Sequence, residues 1–181
     1  MKIIKTDLPE VFILEPNVYE DSRGYFMESY NKIILQKLNI NIDFVQDNQS
    51  LSVPSGTIRG LHYQLNPKAQ TKLVRVVKGA IYDVAVDIRK DSPNYGKWVG
   101  VILNEQNKRQ LLIPKGFAHG FCTLVDNTEV LYKVDEYYCK ESDRGIFWDD
   151  ADLNILWPTK NVIVSDKDAM QPLFKQAENN F

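Results

Sequence analysis

Short apolar runs rich in Val, Ile, Tyr and Phe, separated by turn residues, follow one another along most of the chain. Runs of this length and composition are typical of β-strands. Two of them, Leu73–Val77 and Ile81–Ile88, are joined through Lys78-Gly79. Further predicted strands are Val11–Leu14, Lys97–Leu103 and Arg109–Ile113. The pattern therefore predicts a mainly β protein.

Turn and cap residues predict two further features, a hairpin and a short helix. Asp126-Asn127 stands between the apolar segments Phe117–Val125 and Glu129–Asp135, which predicts that these two strands pair as a hairpin. The clearest helix is Asn31–Leu38, with Asn31 as its N-cap. Many strands with a few short helices predict a β-sandwich or jelly-roll barrel, whose open end can hold a small ligand.

Alternation along Ile81–Ile88 separates two faces of that strand. One face carries only apolar or aromatic side chains, whereas the other carries Asp83 and Asp87 beside Ile81 and Ala85. Carboxylates on such a face predict that it meets either solvent or a polar cavity.

Composition narrows the class of protein. The chain has 181 residues, 44% of them hydrophobic, and no repeat or linker divides it, so we expect one domain over residues 1–181. The net charge of −2 and the lack of a long apolar run give no reason to expect nucleic-acid binding, a membrane span or a signal peptide. Cys122 and Cys139 lack metal or redox spacing, which predicts free thiols in a cytoplasmic protein.

The chain has only two histidines, and both lie in motifs rich in glycine and cationic residues. Histidine is the side chain that most readily exchanges a proton near neutral pH, so at least one of them is a candidate for chemistry. Their surroundings are Gly56-Thr57-Ile58-Arg59-Gly60-Leu61-His62-Tyr63-Gln64 and Pro114-Lys115-Gly116-Phe117-Ala118-His119-Gly120-Phe121.

These two motifs resemble the paired motifs of the cupin jelly roll, in which three His and one Glu usually bind a metal. Here Gln64 stands where the first motif normally has its second His, and Lys72 stands near the usual Glu position. A charged ammonium has no lone pair and repels a divalent cation. We therefore reject a metal-dependent cupin dioxygenase or isomerase and expect no metal ion.

The remaining side chains suit proton transfer beside a carbonyl, which needs a base of near-neutral pKa and a cation that stabilises the enolate. His62 is the candidate base and Lys72 the candidate cation. The residues alone do not assign several other roles.

Tyr132, Tyr137 and Tyr138 are all candidate acids, and His119 is as consistent with a structural role as with a functional one. Arg23, Arg59 and Lys167 are candidates for phosphate binding, although Arg23 is also consistent with a surface turn, and Asp166 and Asp168 are by default exposed.

Longer motifs over about Pro9 to Pro172 resemble, in order and at the same spacing, those of the dTDP-4-dehydrorhamnose 3,5-epimerase family. The most specific stretch is Ile58–Gln64 followed by Ala69-Gln70-x-Lys72-Leu73-Val74. The others are Asp21-Ser22-Arg23-Gly24-Tyr25-Phe26-x-Glu28, Phe44-Val45-Gln46-Asp47-Asn48, Ile113–Phe121, Tyr132-Lys133, Tyr137-Tyr138, Glu141–Ile146 and Ser165-Asp166-Lys167-Asp168.

The resemblance implies a cofactor-free, metal-free cupin homodimer that epimerises dTDP-4-dehydro-6-deoxy-D-glucose at C3 and C5. It implies that His62 accepts the proton, oriented by Asp168, that Tyr132 donates one, and that Lys72 stabilises the enolate. It also implies that the N-terminal segment crosses to the partner's site and that Tyr138 stacks on thymine. The implied substrate-binding residues are Arg23, Phe26, Glu28, Gln46, Asp47, Asn48, Arg59, His119, Tyr138, Asp143 and Lys167.

The chain departs from the family pattern at three positions without losing a catalytic candidate. Cys139 and Val134 stand where the family usually has small residues, and Asp143 is one methylene shorter than the usual Glu. Two alternatives remain beside the double epimerase: a relative that epimerises one carbon, and a non-catalytic cupin that binds a sugar nucleotide. The second predicts loss of the catalytic set, and none of its members is lost.

Overall fold

The chain forms thirteen β-strands in a computed structural model that describes all residues 1–181, and the predicted apolar runs are among them. The strands are β1 (Lys2–Lys5), β2 (Phe12–Glu15), β3 (Val18–Asp21), β4 (Gly24–Met27), β5 (Gln46–Ser52), β6 (Ile58–Gln64), β7 (Lys72–Lys78), β8 (Ala80–Asp87), β9 (Trp98–Asn104), β10 (Gln110–Ile113), β11 (Phe117–Thr123), β12 (Thr128–Val134) and β13 (Asp143–Gly145). The helices are α1 (Lys32–Lys37), α2 (Asp166–Ala169) and two 3-10 turns, Lys140–Ser142 and Phe174–Gln176. None of these helices has the length and apolar character needed to cross a bilayer.

Eleven of the strands form two antiparallel sheets that face each other, and β3 and β4 pair separately as a hairpin. One has six strands in the order β1-β2-β10-β7-β12-β5, and the other has five in the order β13-β6-β11-β8-β9. From β5 onward, every connection except β8 to β9 passes from one sheet to the other. This crossing topology is that of a jelly roll whose sheets do not close, which confirms the predicted mainly β sandwich with a few short helices.

The predicted hairpin of Phe117–Val125 with Glu129–Asp135 is wrong. The turn is present, with Asn127 at φ 54°, but β11 pairs with β6 and β8 while β12 pairs with β5 and β7. Turn chemistry reverses the chain direction without selecting a partner strand. The turn here carries the chain from one sheet to the other, because β11 and β12 are each flanked on both sides within their own sheets.

The main hydrophobic core lies between the sheets, with Val74, Leu111 and Val130 from one sheet meeting Phe117 and Phe121 from the other. The outer face of the five-stranded sheet is covered by the chain after β13, which supplies buried residues of its own to a second cluster. The outer face of the six-stranded sheet is partly covered by α1. The segment after β13 also brings α2 beside β6, since Ile163 bridges Thr57 and Asp168 accepts a hydrogen bond from the Gly60 amide.

The helix prediction is confirmed at its N-terminus. The Asn31 side-chain oxygen accepts hydrogen bonds from the backbone amides of Ile33 (3.0 Å) and Ile34 (3.3 Å). These are two of the amides that a helix start leaves without partners.

Gly60 allows β6 to lie close to β11. Its φ is +129°, and a Cβ at this position would lie 2.5 Å from Gly120 Cα and 2.8 Å from the His119 carbonyl oxygen. Any side chain would therefore clash with backbone atoms that cannot rotate away. The absence of side chains at both glycines brings together the two strands that carry His62 and His119.

Candidate active site

The two histidines are direct neighbours across β6 and β11. His119 is paired with His62 in the antiparallel register, and both side chains line the cavity between the sheets. They are 57 positions apart in the sequence (119 − 62), and only the pairing of the two strands brings them together. The structure therefore joins both motifs in one site.

His62 forms a dyad with Asp168. His62 Nε2 lies 2.6 Å from Asp168 Oδ1, and the second carboxylate oxygen accepts a hydrogen bond from the Gly60 amide at 3.3 Å. A proton on Nε2 directed at this carboxylate leaves Nδ1 as the basic ring nitrogen. The dyad thus holds the imidazole in one tautomer and one orientation.

Asp168 is buried, contrary to the expectation that the polar tail leaves it exposed, whereas Asp166 remains exposed. Ser165 caps α2 by accepting the Asp168 amide at 3.1 Å, which directs the Asp168 side chain toward β6. Burial raises the pKa of Asp168, but hydrogen bonds from His62 and Gly60 outweigh it, and the pKa is lowered. The carboxylate is therefore charged at neutral pH.

His119 has a carboxylate partner of its own, Asp83 on β8. His119 Nε2 lies 2.6 Å from Asp83 Oδ1, and both side chains are buried. Burial lowers the pKa of His119 although Asp83 opposes this effect, so the ring is neutral at pH 7. Asp83 is the residue that sequence reasoning missed as a member of the site. The alternation of β8 had pointed to solvent or a polar cavity, and Asp83 meets neither, because it is fully buried against His119, which itself lines the cavity.

Lys72 is the buried cation of the site. It begins β7 in the opposite sheet, and its Nζ donates to the His62 carbonyl oxygen at 3.3 Å. Burial lowers its pKa to about 8, against the attraction of Asp143 and Asp83. The ammonium is mostly protonated at pH 7, and few protein groups compensate its charge. Such a group suits the stabilisation of a developing oxyanion.

Tyr132 lies on β12 and lines the same cavity as His62 and Lys72. Burial raises the pKa of its phenol, while nearby Arg59 lowers it. The hydroxyl is therefore protonated at neutral pH and has a proton to donate. Tyr137 and Tyr138, the other tyrosine candidates, are exposed, and Tyr137 does not line this cavity.

The cavity has two lobes that share His62, Lys72, Tyr132 and Lys167. The histidine lobe, about 250 Å³, is completed by Ser50, Arg59, His119, Phe121, Ser165 and Asp168. The glutamine lobe, about 370 Å³, is completed by Gln46, Asn48, Tyr63, Gln64, Gln70, Tyr138 and Asp143. The proton-transfer candidates thus lie where the two lobes meet.

The rim of the cavity carries polar residues that form ion pairs and hydrogen bonds with one another. Lys167 Nζ lies 2.6 Å from Asp143 Oδ2, which also accepts a hydrogen bond from the Tyr138 hydroxyl at 3.3 Å. The bond with Asp143 raises the pKa of Lys167. The Gln46 amide donates to Asn48 Oδ1 at 2.8 Å. Arg59 is partly free, because its guanidinium bonds only Ser52 Oγ and the Leu51 carbonyl, each at 3.1 Å.

Four predicted binding residues lie away from this cavity. Arg23 and Phe26 belong to the β3–β4 hairpin, where both are exposed and Arg23 pairs with Asp21 at 2.6 Å. Glu28 accepts a hydrogen bond from Asn31 at 2.9 Å. Asp47 points to the other face of β5 and pairs with Lys133 at 2.8 Å. Contacts within one chain do not bring these residues to His62.

Gln64, at the position of a cupin metal ligand, is used to hold a loop. Its amide nitrogen donates to the carbonyls of Lys68 (2.6 Å) and Tyr137 (3.3 Å), and its oxygen accepts the Cys139 amide at 2.7 Å. No group of three or more His, Cys, Asp or Glu side chains is arranged to hold a metal ion. The donor set, with Lys72 in its midst, does not fit the cupin metal.

The sequence profile of the family described as dTDP-4-dehydrorhamnose 3,5-epimerase matches residues 5–176. The chain belongs to this epimerase family. A relative of that name from Shigella flexneri is 54% identical over 179 residues, 98% of each chain. The crystal structure of the Bacillus anthracis epimerase with TDP and PPi bound is 57% identical, with a TM-score of 0.93 over 95% of this chain and 98% of that one.

A second solved structure carries a sugar nucleotide. The dTDP-6-deoxy-D-glucose-3,5-epimerase of Legionella pneumophila, in complex with dTDP-4-keto-L-rhamnose, is 47% identical to this epimerase-family chain. It superimposes with a TM-score of 0.93 over 97% of this chain and 93% of the other. The family resemblance and the cupin-type fold expected from the sequence are therefore both confirmed.

Proposed function

We propose that this isomerase converts dTDP-4-dehydro-6-deoxy-D-glucose to dTDP-4-dehydro-L-rhamnose by epimerisation at C3 and C5, in dTDP-L-rhamnose biosynthesis. The observation that carries the proposal is the His62–Asp168 dyad, which shares one cavity with Lys72 and Tyr132. Membership of the epimerase family supports the same reaction.

Proton abstraction is assigned to His62. Its Nδ1 takes the proton from C3 or C5, and the electron pair of the C–H bond moves into an enolate with C4 and O4. Asp168 stabilises the imidazolium that forms, because its carboxylate is already charged and hydrogen-bonded to Nε2. The dyad thus provides a base whose charged form is stabilised.

Enolate stabilisation is assigned to Lys72. C3 and C5 both flank the C4 carbonyl, so one cation near O4 serves both exchanges. Lys72 is buried where few protein charges compensate it, which strengthens its interaction with a developing oxyanion. The chemistry needs no redox step.

Inversion requires that a proton return to the opposite face of each carbon, and this role is assigned to Tyr132. We expect Tyr132→Phe to lower product formation about tenfold to a hundredfold, because the acid contributes to the reprotonation step. Exchange of the substrate's own C3 proton for deuterium should fall less, since His62 still removes the proton and, after exchanging with D2O, returns a deuteron to the same face. Proton NMR in D2O measures both rates.

The matched control is Tyr95→Phe, which removes a phenol that packs on Phe174 away from the cavity. It should leave both rates unchanged. Wild-type product yield in Tyr132→Phe would remove this tyrosine from the mechanism.

Deuterium incorporation also tests the overall function. The wild-type chain, incubated with dTDP-4-dehydro-6-deoxy-D-glucose in D2O without added metal, should place label at both C3 and C5. Label at one carbon would indicate a single epimerase. No label would leave a protein that binds sugar nucleotides or acts on another sugar.

Substrate binding is assigned to the polar residues around the two lobes, with Tyr138 as the stacking partner of thymine. Arg59 and Lys167 are cations near the meeting point of the lobes and suit the diphosphate. Gln46, Asn48, His119 and Asp143 would contact the nucleotide or sugar. The free thiols of Cys122 and Cys139 support a cytoplasmic location.

The working form is proposed to be a homodimer in which the β3–β4 hairpin reaches the partner's site. The hairpin exposes Tyr19, Tyr25 and Phe26 around a groove of about 420 Å³ that also contains Arg23. Exposed aromatic and arginine side chains are typical of interface residues. We expect sedimentation velocity to give a dimer of the 20.9-kDa chain, whereas a monomer would leave Arg23, Phe26 and Glu28 without their proposed role.

A further inference from the structure

The Ser50 hydroxyl is a polar group of the cavity wall that has no partner. Ser50 lies on β5 and lines the histidine lobe, and its Oγ is shielded from water without any hydrogen bond. The only other side-chain atom in this condition is Asp83 Oδ2. Buried polar groups are nearly always hydrogen-bonded, and an unpaired one is costly. The unpaired hydroxyl therefore indicates that a bound ligand supplies its hydrogen-bond partner.

Neighbouring polar groups on the same strand already have protein partners. Ser52 Oγ accepts Arg59 Nε at 3.1 Å, and Asn48 Oδ1 accepts the Gln46 amide at 2.8 Å. Neither needs Ser50, and Ser50 makes no bond to either. Ser50 is the β5 side chain that lines the histidine lobe and has no hydrogen-bond partner of its own.

The chemistry of the histidine lobe limits which chemical group of a ligand Ser50 can bond. A serine hydroxyl is neutral and both donates and accepts, which matches another hydroxyl. In the reaction proposed above, O4 is assigned to Lys72, the reacting hydrogens face His62 and Tyr132, and the phosphates are assigned to arginine and lysine. The sugar groups that remain and can both donate and accept are its secondary hydroxyls, on C2 and C3.

We propose that Ser50 Oγ binds a secondary hydroxyl of the sugar ring and so distinguishes the sugar nucleotide from the free nucleotide. This inference rests on the proposed function for its choice of substrate class. Phe121, on the wall of the same lobe, offers an apolar surface suited to the rest of a deoxysugar. Ser50 thereby contributes to substrate selection without taking part in proton transfer.

Binding measurements test this assignment separately from catalysis. Calorimetry with dTDP-6-deoxy-D-glucose, which lacks the reactive carbonyl, and with dTDP compares ligands with and without the sugar. Ser50→Ala should weaken binding of the sugar nucleotide about threefold to tenfold, as expected for one neutral hydrogen bond, and leave dTDP binding unchanged. Ser55→Ala, in an exposed turn where the hydroxyl makes no hydrogen bond, should change neither.

Deoxy analogues identify the hydroxyl. The effect of Ser50→Ala should disappear for either the 2-deoxy or the 3-deoxy form of the ligand, whichever lacks the bonded group. Equal weakening of dTDP and the sugar nucleotide would assign Ser50 to the phosphates or to folding and overturn the proposal. Unchanged binding of both would overturn it too. Failure of the epimerase function would instead appear as absent deuterium exchange in the wild-type chain, which these affinities do not measure.

Discussion

The variant His62→Ala is expected to lose about a thousandfold or more in kcat, because it removes the base assigned to proton abstraction at C3 and C5. Its affinity for dTDP should stay within about twofold of wild type, since the removed imidazole is assigned to the sugar carbons rather than to the nucleotide. The measurements are turnover of dTDP-4-dehydro-6-deoxy-D-glucose by NMR and dTDP affinity by calorimetry. Deuterium exchange at C3 and C5 should fall together, because the same base serves both carbons.

The dyad offers a matched pair of controls on α2. Asp168→Asn removes the charge bonded to His62 and should also lower kcat strongly, whereas Asp166→Asn changes an exposed neighbour and should not. Equal losses of dTDP binding and turnover in His62→Ala would contradict the division between base and binding residues. Equal effects of the two aspartate variants would contradict the orienting role of Asp168.

Replacing Lys72 with methionine is expected to lower kcat about a hundredfold to a thousandfold, because the enolate loses the charge that stabilises it. The methionine side chain fills a similar volume, which limits structural change around His62. Exchange at C3 and at C5 should fall by similar factors, since both pass through an enolate at O4. The matched control is Lys78→Met, which changes an exposed lysine at the far end of the same strand.

The pH dependence of activity tests independently whether the charge of Lys72 is needed. Burial lowers its pKa to about 8, so the free enzyme loses the cation as the pH rises through that value. In the wild-type chain, kcat/KM should therefore decline on the alkaline side with a midpoint near pH 8. The residual activity of Lys72→Met should lack this decline. A midpoint near 8 that persists in the variant would assign the decline to another group.

The sequence predictions are correct where a feature depends on neighbouring residues, and they fail where it depends on contacts between distant parts of the chain. Asn31 caps α1 as predicted, and Leu73–Val77 and Ile81–Ile88 form strands, because caps and alternation depend on residues a few positions apart. The hairpin through Asp126-Asn127 fails because strand partners are chosen by packing across the whole sandwich.

Asp168 shows the same limit within the site. A polar tail without periodicity predicts exposure, yet this carboxylate is buried because the tail runs beside β6, where Asp168 bonds the Gly60 amide and His62. Only the family resemblance connected it to His62. Asp83 had a local signal, since the alternation of β8 placed a carboxylate on the same face as apolar residues. That alternation did not indicate which residue Asp83 would bond, because its partner is set by the pairing of β8 with β11 in the sheet.

The sequence by itself determined the mainly β class, the short capped helix, the two histidine motifs, and the presence of glutamine and lysine near cupin metal positions. These features can be read from neighbouring residues and their chemistry. Only the tertiary structure decided that His62 and His119 lie side by side, that each has its own aspartate, and that Ser50 lacks a partner. His62 and Asp168 are 106 positions apart, and such a contact forms only when many distributed packing interactions together overcome the entropy of closing so long a loop.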